Sequence, residues 1–259
     1  MNYFKATTLK APFGWIGGKS RLAKEIVEMM PEHKLYVEVF GGGLSVLYAK
    51  PKMPKISEVV NDINGELVNL HRVIKTFPVT FTSLLSELLI SREMFFDFKN
   101  KRLTPKNKIE RAVFFYYCLT YSFASKGDSF AMPKSRPAKK LYKDFSVWSK
   151  RLSSVCIENL SFEKLIKEYD REETLFYLDP PYMGTEDYYK NTLGFGKKEH
   201  ELLAEILKGI KGKFILSYND TPKVRELYRG FNFKGVSTLY TLNIKAQRRV
   251  GEVIICNFG

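Results

Sequence analysis

The tetrapeptide Asp179-Pro180-Pro181-Tyr182 concentrates the groups that could do chemistry. It closes the apolar run TLFYLD (174–179), which reads as a strand ending on Asp179. In open α/β sheets, ligands bind outside the carboxyl ends of the strands. Pro180 and Pro181 fix φ and lack N–H groups, so the corner is stiff and offers one carboxylate and carbonyl oxygens, all of them acceptors. Tyr182 adds a flat aromatic face. Such a corner suits a planar ring carrying an exocyclic NH2: two N–H groups meet two acceptors while the ring stacks on tyrosine.

A second candidate is FGWIGGKSRL (13–22). Its Gly18-Lys19-Ser20 resembles the end of a phosphate-binding loop. The G-x-x-x-x-G-K-[ST] spacing would put the first glycine at Phe13, and the nearest glycine, Gly14, leaves the loop one residue short. The preceding ATTLKAPF is also a poor buried strand, whereas such a loop hangs from one. Lys19 therefore needs another role. A third candidate is Phe40-Gly41-x-Gly43, at the end of the apolar run LYVEVF (35–40), where glycines let backbone approach a ligand. Asp62 ends ISEVVND (56–62), 19 residues after Gly43, where a carboxylate grips ribose hydroxyls in nucleotide-binding sheets.

These residues need a scaffold. Helical spacing in RLAKEIVEMM, with Ser20 as its cap, predicts a helix before the first strand. VCIEN (155–159), TLFYLD, KFILSYN (213–219) and EVIICNF (252–258) read as further strands, with helical patterns at 161–169, 197–209 and 221–229. Strands alternating with helices predict an α/β fold with a mainly parallel sheet. Between 64 and 150 the pattern is helical, at 64–77, 81–99 and 106–121, followed by a Gly/Pro/Ser/Lys-rich loop at 124–140. We expect residues 1–63 and 151–259 to form the catalytic domain and 64–150 a mostly helical insertion.

The chain of 259 residues carries 42 Lys+Arg against 28 Asp+Glu, a net +14, which points to a polyanionic partner, most often nucleic acid. Lys126, Lys134, Arg136, Lys139, Lys140, Lys143, Lys150 and Arg151 face only Asp128 and Asp144 over that segment, a net +6. No apolar run approaches the roughly 18 residues of a membrane span and no secretion signal is visible, so a cytoplasmic protein is expected. Cys118, Cys156 and Cys256 lie too far apart for a metal knuckle and read as reduced core residues; His33, His71 and His200 have no ligand spacing, so no metal is expected.

Taken in order, GWIGGKSRL, YVEVFGGGLSV, VVNDIN, FYLDPPY and GEVIICNF resemble the motifs of the Dam-type, α-group DNA adenine-N6 methyltransferases over nearly the whole chain. The resemblance implies a Rossmann-like core with a target-recognition insertion. It implies transfer of a methyl group from S-adenosyl-L-methionine to N6 of an adenine flipped out of double-stranded DNA at a specific site. It makes Asp179, Pro180, Pro181 and Tyr182 catalytic, and assigns Trp15, Lys19, Phe40, Gly41, Gly43, Asp62, Phe162 and Asp179 to the cofactor. In this reading Lys19 lies near the methionine carboxylate or the cofactor-binding acids, and Phe162 packs on the cofactor's adenine. Lys126, Lys134, Arg136, Lys139 and Lys140 become DNA contacts.

Where the family carries N-G-L-x-R-x-N and F-N-V-P-F-G, this chain has CLTYSFASKGDSFAMPKS. The arginine expected around Tyr121–Phe123 is missing, so a GATC target does not carry over. Phe130 and Met132 are candidates for wedges beside a flipped base or for core. The resemblance also admits a cognate restriction endonuclease as partner, a monomer or weak dimer, and a place at the bacterial nucleoid or in a phage-infected cell. The rival readings are a methyltransferase of cytosine N4 in DNA or adenine N6 in RNA, and an inactive DNA-binding relative. In the family resemblance Ser or Asn more often precedes Pro-Pro in those other enzymes, whereas here it is Asp179.

Overall fold

A computed structural model describes residues 3–132, 137–183, 195–238 and 250–259. The chain order is α1 (Ala23–Met29), β1 (Leu35–Glu38), α2 (Ser45–Ala49), β2 (Ser57–Asn61), α3 (Gly65–Thr76), α4 (Pro78–Ser86), α5 (Arg92–Lys99), α6 (Lys108–Thr120), α7 (Ser146–Leu152), β3 (Val155–Glu158), α8 (Phe162–Tyr169), β4 (Thr174–Leu178), α9 (Lys197–Lys208), β5 (Lys213–Asn219), α10 (Pro222–Leu227), β6 (Asn232–Thr238) and β7 (Val250–Cys256). The strands form one seven-stranded sheet in the order β3-β2-β1-β4-β5-β7-β6, parallel from β3 through β5, with β7 antiparallel to both its neighbours.

The strand order reverses between β1 and β4, which pair in parallel with Glu38 beside Tyr177. A crevice opens at such a switch point, at the carboxyl ends of the strands. Because side chains alternate along a strand, the sheet buries Tyr36, Val60, Leu175, Tyr177 and Ile215 on one face, under the helices α1 to α7. On the other face Val37, Val59, Phe176, Leu178 and Leu216 pack beneath α8, α9 and α10.

The segment between β2 and β3 leaves from the carboxyl end of β2 and returns at the amino end of β3, and the two carboxyl ends are stitched to each other. Asn61 Nδ2 donates to Leu160 O at 3.1 Å, Leu160 N–H donates back to Asn61 Oδ1 at 2.8 Å, and Asn159 Nδ2 donates to Asp62 O at 2.7 Å. Within that segment α3 packs on α6 and α7, and Phe81, Phe95, Tyr116 and Phe145 join the same core as the sheet. The helix expected over 81–99 is two. Ser91 caps α5 through Met94 N–H, and Tyr117 Oη of α6 bonds Ser91 N–H and Leu89 O, each at 2.8 Å, which satisfies the backbone freed at the break.

Ser20 does not cap α1. The N–H groups of Leu22 and Ala23 bond Lys19 O, so a turn wound on Lys19 leads into the helix at Leu22. Arg151 also departs from expectation. Counted by sequence with the basic loop, it is buried and forks onto Glu58, with Nη1 2.6 Å from Oε2 and Nη2 2.9 Å from Oε1, while Lys50 Nζ lies 3.0 Å from Oε1. Lys143 donates to Pro12 O and lies 5.0 Å from the Trp148 ring, so it braces the N-terminal segment. Cys118 and Cys256 are buried, whereas Cys156 is exposed on the edge strand β3. Among the described residues no helix is long and apolar enough to cross a membrane.

Candidate active site

The crevice at the switch point is a cavity of about 290 Å³ lined from the loops after β1, β2 and β4 and from the segment 15–19. After β1 the chain turns through Phe40-Gly41-Gly42-Gly43. A Cβ on Gly41 would lie 2.8 Å from Asn61 O, and one on Gly42, at φ 51°, would lie 2.7 Å from Trp15 Cδ1. The room these glycines leave is thus partly filled by the protein itself: the Trp15 indole packs on the turn. Asp62 holds the same turn, accepting Gly42 N–H on Oδ2 and Asn64 N–H on Oδ1, both at 2.9 Å. Burial pushes the Asp62 carboxyl up, and those N–H groups pull it back.

Three aromatic rings wall the far side. Phe40 lies 5.9 Å from Phe162 and 5.5 Å from Phe195, and Phe162 lies 5.6 Å from Phe195. Phe162 opens α8 and Phe195 precedes α9, so two helix starts deliver apolar faces to one slot of the cavity.

At the other end stands the corner after β4. Asp179 and Pro181 line the cavity, Pro180 is buried and Tyr182 is half-buried beside them. Lys19 is buried, with Nζ 2.7 Å from Asp179 Oδ1, 2.8 Å from Gly17 O and 4.7 Å from the Tyr182 ring centroid. The near-miss loop thus delivers its lysine to the acid of the tetrapeptide. Burial pushes the Asp179 carboxyl up to about 6, Lys19 opposes that, and Glu252 adds to it. Tyr182 stacks on Tyr218 at 5.6 Å and 17°, and the Tyr218 hydroxyl meets His200 Nδ1. Asn219 Nδ2 donates to Met183 O at 3.2 Å and ties the corner to β5. Glu38, buried at the end of β1, accepts from Tyr36 Oη at 2.8 Å and Leu47 N–H at 3.0 Å, and burial raises its carboxyl to about 8.

A family profile described as D12 class N6 adenine-specific DNA methyltransferase matches residues 15–242. The chain belongs to that family. Among its relatives, the type II methyltransferase M1.LlaDCHI of Lactococcus lactis subsp. cremoris is 28% identical over 95% of this chain and 94% of its own length. The retron Ec67 DNA adenine methylase of Escherichia coli is 27% identical, covering 92% of this chain and 84% of that protein. The DNA adenine methylase of Escherichia coli K12 is 24% identical over 83% and 82%. As a D12-class methyltransferase the protein acts on DNA adenine and takes its methyl group from S-adenosyl-L-methionine. The lining fits that donor chemically: an apolar aromatic slot suits a purine, the Asp62 carboxylate can accept from hydroxyls, and the Asp179 carboxylate suits a cationic group.

All the residues singled out for the cofactor by sequence line this one cavity. Sequence reasoning passed over Glu38, Phe195 and Gly42. Glu38 carried a signal, an acid inside the apolar run YVEVF; Phe195 carried none. Of the residues assigned to DNA, Lys139 and Lys140 are exposed and Lys126 is half-buried, while Lys134 and Arg136 lie outside the described residues. Residues 121–131 form a hairpin through Ala131 N–H to Tyr121 O and Phe123 N–H to Ser129 O. Its Ala124 and Ser125 adopt positive φ, and Phe123 is 60% exposed. The hairpin abuts the N-terminal segment: a Cβ on Gly14 would lie 2.5 Å from Ser125 Oγ. Phe130 packs on Phe95 at 5.6 Å under the Arg92 guanidinium, which makes it core; Met132 remains exposed.

Proposed function

We propose that this enzyme methylates an adenine extruded from duplex DNA at a specific site, with Asp179, Pro180, Pro181 and Tyr182 holding the base. The observation that carries the reading is the occupied corner. Lys19 places a cationic N–H donor 2.7 Å from Asp179 and over the Tyr182 ring, the same union of donor and aromatic face that the amino group and ring of adenine would require. A base stacked inside a duplex cannot enter a buried corner, so it must leave the helix.

Bound S-adenosyl-L-methionine supplies an electrophilic methyl group on sulfur and departs as the neutral thioether. Trp15 and the turn Phe40-Gly41-Gly42-Gly43 form one wall for it, Asp62 takes the ribose hydroxyls and Phe162 packs on its adenine. Asp179 and the Pro180 carbonyl accept the two N–H bonds of the target amine, which turns its lone pair out of the ring and toward the methyl group. The N–C bond forms as the C–S bond breaks, its electron pair going to sulfur. Positive charge grows on N6 as this happens, so the Asp179 carboxylate stabilises the transition state more than the ground state. The product nitrogen then sheds a proton, and Asp179, held at about 6, is positioned to take it. Lys19 keeps Asp179 ionised until the base arrives and yields to the incoming amine.

The hairpin 121–131 and the basic residues Lys126, Lys134, Arg136, Lys139 and Lys140 meet the DNA in this reading. Phosphate contacts are read through salt dependence. Lys139→Ala and Lys140→Ala are each expected to weaken duplex binding at all sequences and to lower the slope of log affinity against log salt by about 1, measured by fluorescence anisotropy. Unchanged slopes would remove both lysines from the DNA face. The reading extends to action as a monomer or weak dimer in the cytoplasm, at a nucleoid or in a phage-infected cell, alongside a cognate restriction endonuclease.

The test of the whole reading is the product. Duplex DNA is incubated with methyl-labelled donor, digested and resolved into nucleosides. Label in N6-methyl-2′-deoxyadenosine is expected, at one recurring sequence when the intact methylated DNA is sequenced; label in N4-methyl-2′-deoxycytidine, or in RNA alone when RNA is offered, defeats it.

A further inference from the structure

We infer that His71 is a positioning residue for the cofactor turn, acting through the carbonyl of Gly42; the inference rests on the reading of the cavity as the donor site. His71 lies on α3 among the buried Leu67, Leu70 and Ile74, a position that an apolar side chain could fill. Its Nε2 lies 2.8 Å from Gly42 O, and its Nδ1 has no hydrogen-bond partner among the described residues. A carbonyl only accepts, so Nε2 carries the proton and Nδ1 is bare. Burial holds the ring's pKa down to about 4, which keeps that neutral tautomer through the working pH range.

Gly42 is therefore gripped through both of its flanking peptides. Its N–H enters Asp62 Oδ2 at 2.9 Å and its C=O receives His71 Nε2–H. Gly42 sits at φ 51° with the Trp15 indole against its Cα, a conformation that free glycine exchanges readily for others. Without the His71 donor the buried carbonyl is unpaired, and turning the Gly42–Gly43 peptide toward water changes ψ at Gly42 and loosens the left-handed turn that presents the adjoining N–H to Asp62. The carboxylate assigned to the ribose would then lose the donor that orients it. The Phe13 ring, 5.4 Å from His71 and 6.3 Å from Tyr116 of α6, packs the histidine against the helices bearing the DNA-facing hairpin. His71 thereby joins the turn to the insertion.

The experiment compares His71→Phe, which keeps ring packing and removes the donor, with His71→Gln, whose amide can donate to the same carbonyl. Calorimetry on the cofactor-free protein measures binding of S-adenosylhomocysteine, and steady-state kinetics measures donor and DNA dependence separately. His71→Phe is expected to raise Kd and the donor KM by about tenfold, as for one buried hydrogen bond, with kcat at saturating donor and the DNA KM within about twofold of the parent. His71→Gln is expected to restore donor affinity to within about threefold. A His71→Phe protein that binds the ligand like the parent and loses only thermal stability would make His71 a core residue and overturn the inference. Should the phenylalanine variant not fold, nitrogen NMR of the parent decides: an Nε2–H tautomer supports the clamp, and an Nδ1–H tautomer overturns it. Failure of the parent itself to bind S-adenosylhomocysteine would overturn the reading of the cavity, and this inference with it.

Discussion

Asp179→Asn is expected to lower turnover by about 10²–10³-fold, with a smaller loss of donor affinity, since an amide cannot stabilise the positive charge growing on the target nitrogen. The pH dependence tests the same carboxylate without removing it. Its ordinary value of 3.8 is raised to about 6 by burial, against the pull of Lys19 and with a push from Glu252. Glu38 and Tyr177, on β1 and β4, are the other titratable groups coupled to it. If the ionised form is the active one, kcat/KM for DNA is flat above pH 7 and falls about tenfold per unit below pH 6. Removing the opposing cation in Lys19→Met leaves burial unopposed, so the acidic limb moves to higher pH and the deficit shrinks as pH rises. A limb that stays in place in Lys19→Met would show that Lys19 does not govern this ionisation. The sign for stability is the reverse of the usual carboxylate case: this carboxyl holds its proton more tightly folded than unfolded, so its contribution to stability falls as pH climbs from about 4 to about 6.

Glu58→Gln is expected to destabilise the fold by about 3–5 kcal/mol, because it leaves two buried cations facing a neutral amide. Lys50 is fully buried, Arg151 is 8% exposed, and Glu58 is the acid that both contact. Burial already pushes the Lys50 ammonium down, with Glu58 opposing that shift. For a chain of this size the loss corresponds to a fall in Tm of roughly 6–20 °C, read by circular dichroism melting. A shift of only a degree or two would mean that water reaches the cluster and screens it. Replacing all three side chains by apolar residues of similar volume is expected to recover much of the loss.

The core sheet was legible because its strands are continuous apolar runs between helical patterns, as parallel strands buried on both faces must be. The site was legible where chemistry restricts residue type: an acid before two prolines, glycines after a strand, an acid at the next strand's end. What escaped notice was short or exposed. α2 has five residues, too few for a period to show. β6 is an edge strand with polar and glycine residues, NFKGVST, and it pairs with one neighbour only. The break between α4 and α5 was hidden because a tyrosine 26 residues away supplies the missing hydrogen bonds. Arg151 was misjudged for a related reason: sequence shows a charge but not the Glu58 carboxylate, 93 residues distant, that buries it. Lys19 was given two places, the methionine carboxylate or the cofactor-binding acids, and it lies on one of those acids, Asp179, a contact that the first motif alone does not specify.

The stitches between Asn61 and Leu160, and between Asn159 and Asp62, bind the carboxyl end of β2 to that of β3 on the rim of the cavity. The intervening chain departs from that rim after Asp62 and comes back at the opposite edge of the sheet, where β3 begins at Val155. Lengthening, shortening or rewriting that excursion is therefore expected to leave the rim intact, because every bond of the stitch lies outside it.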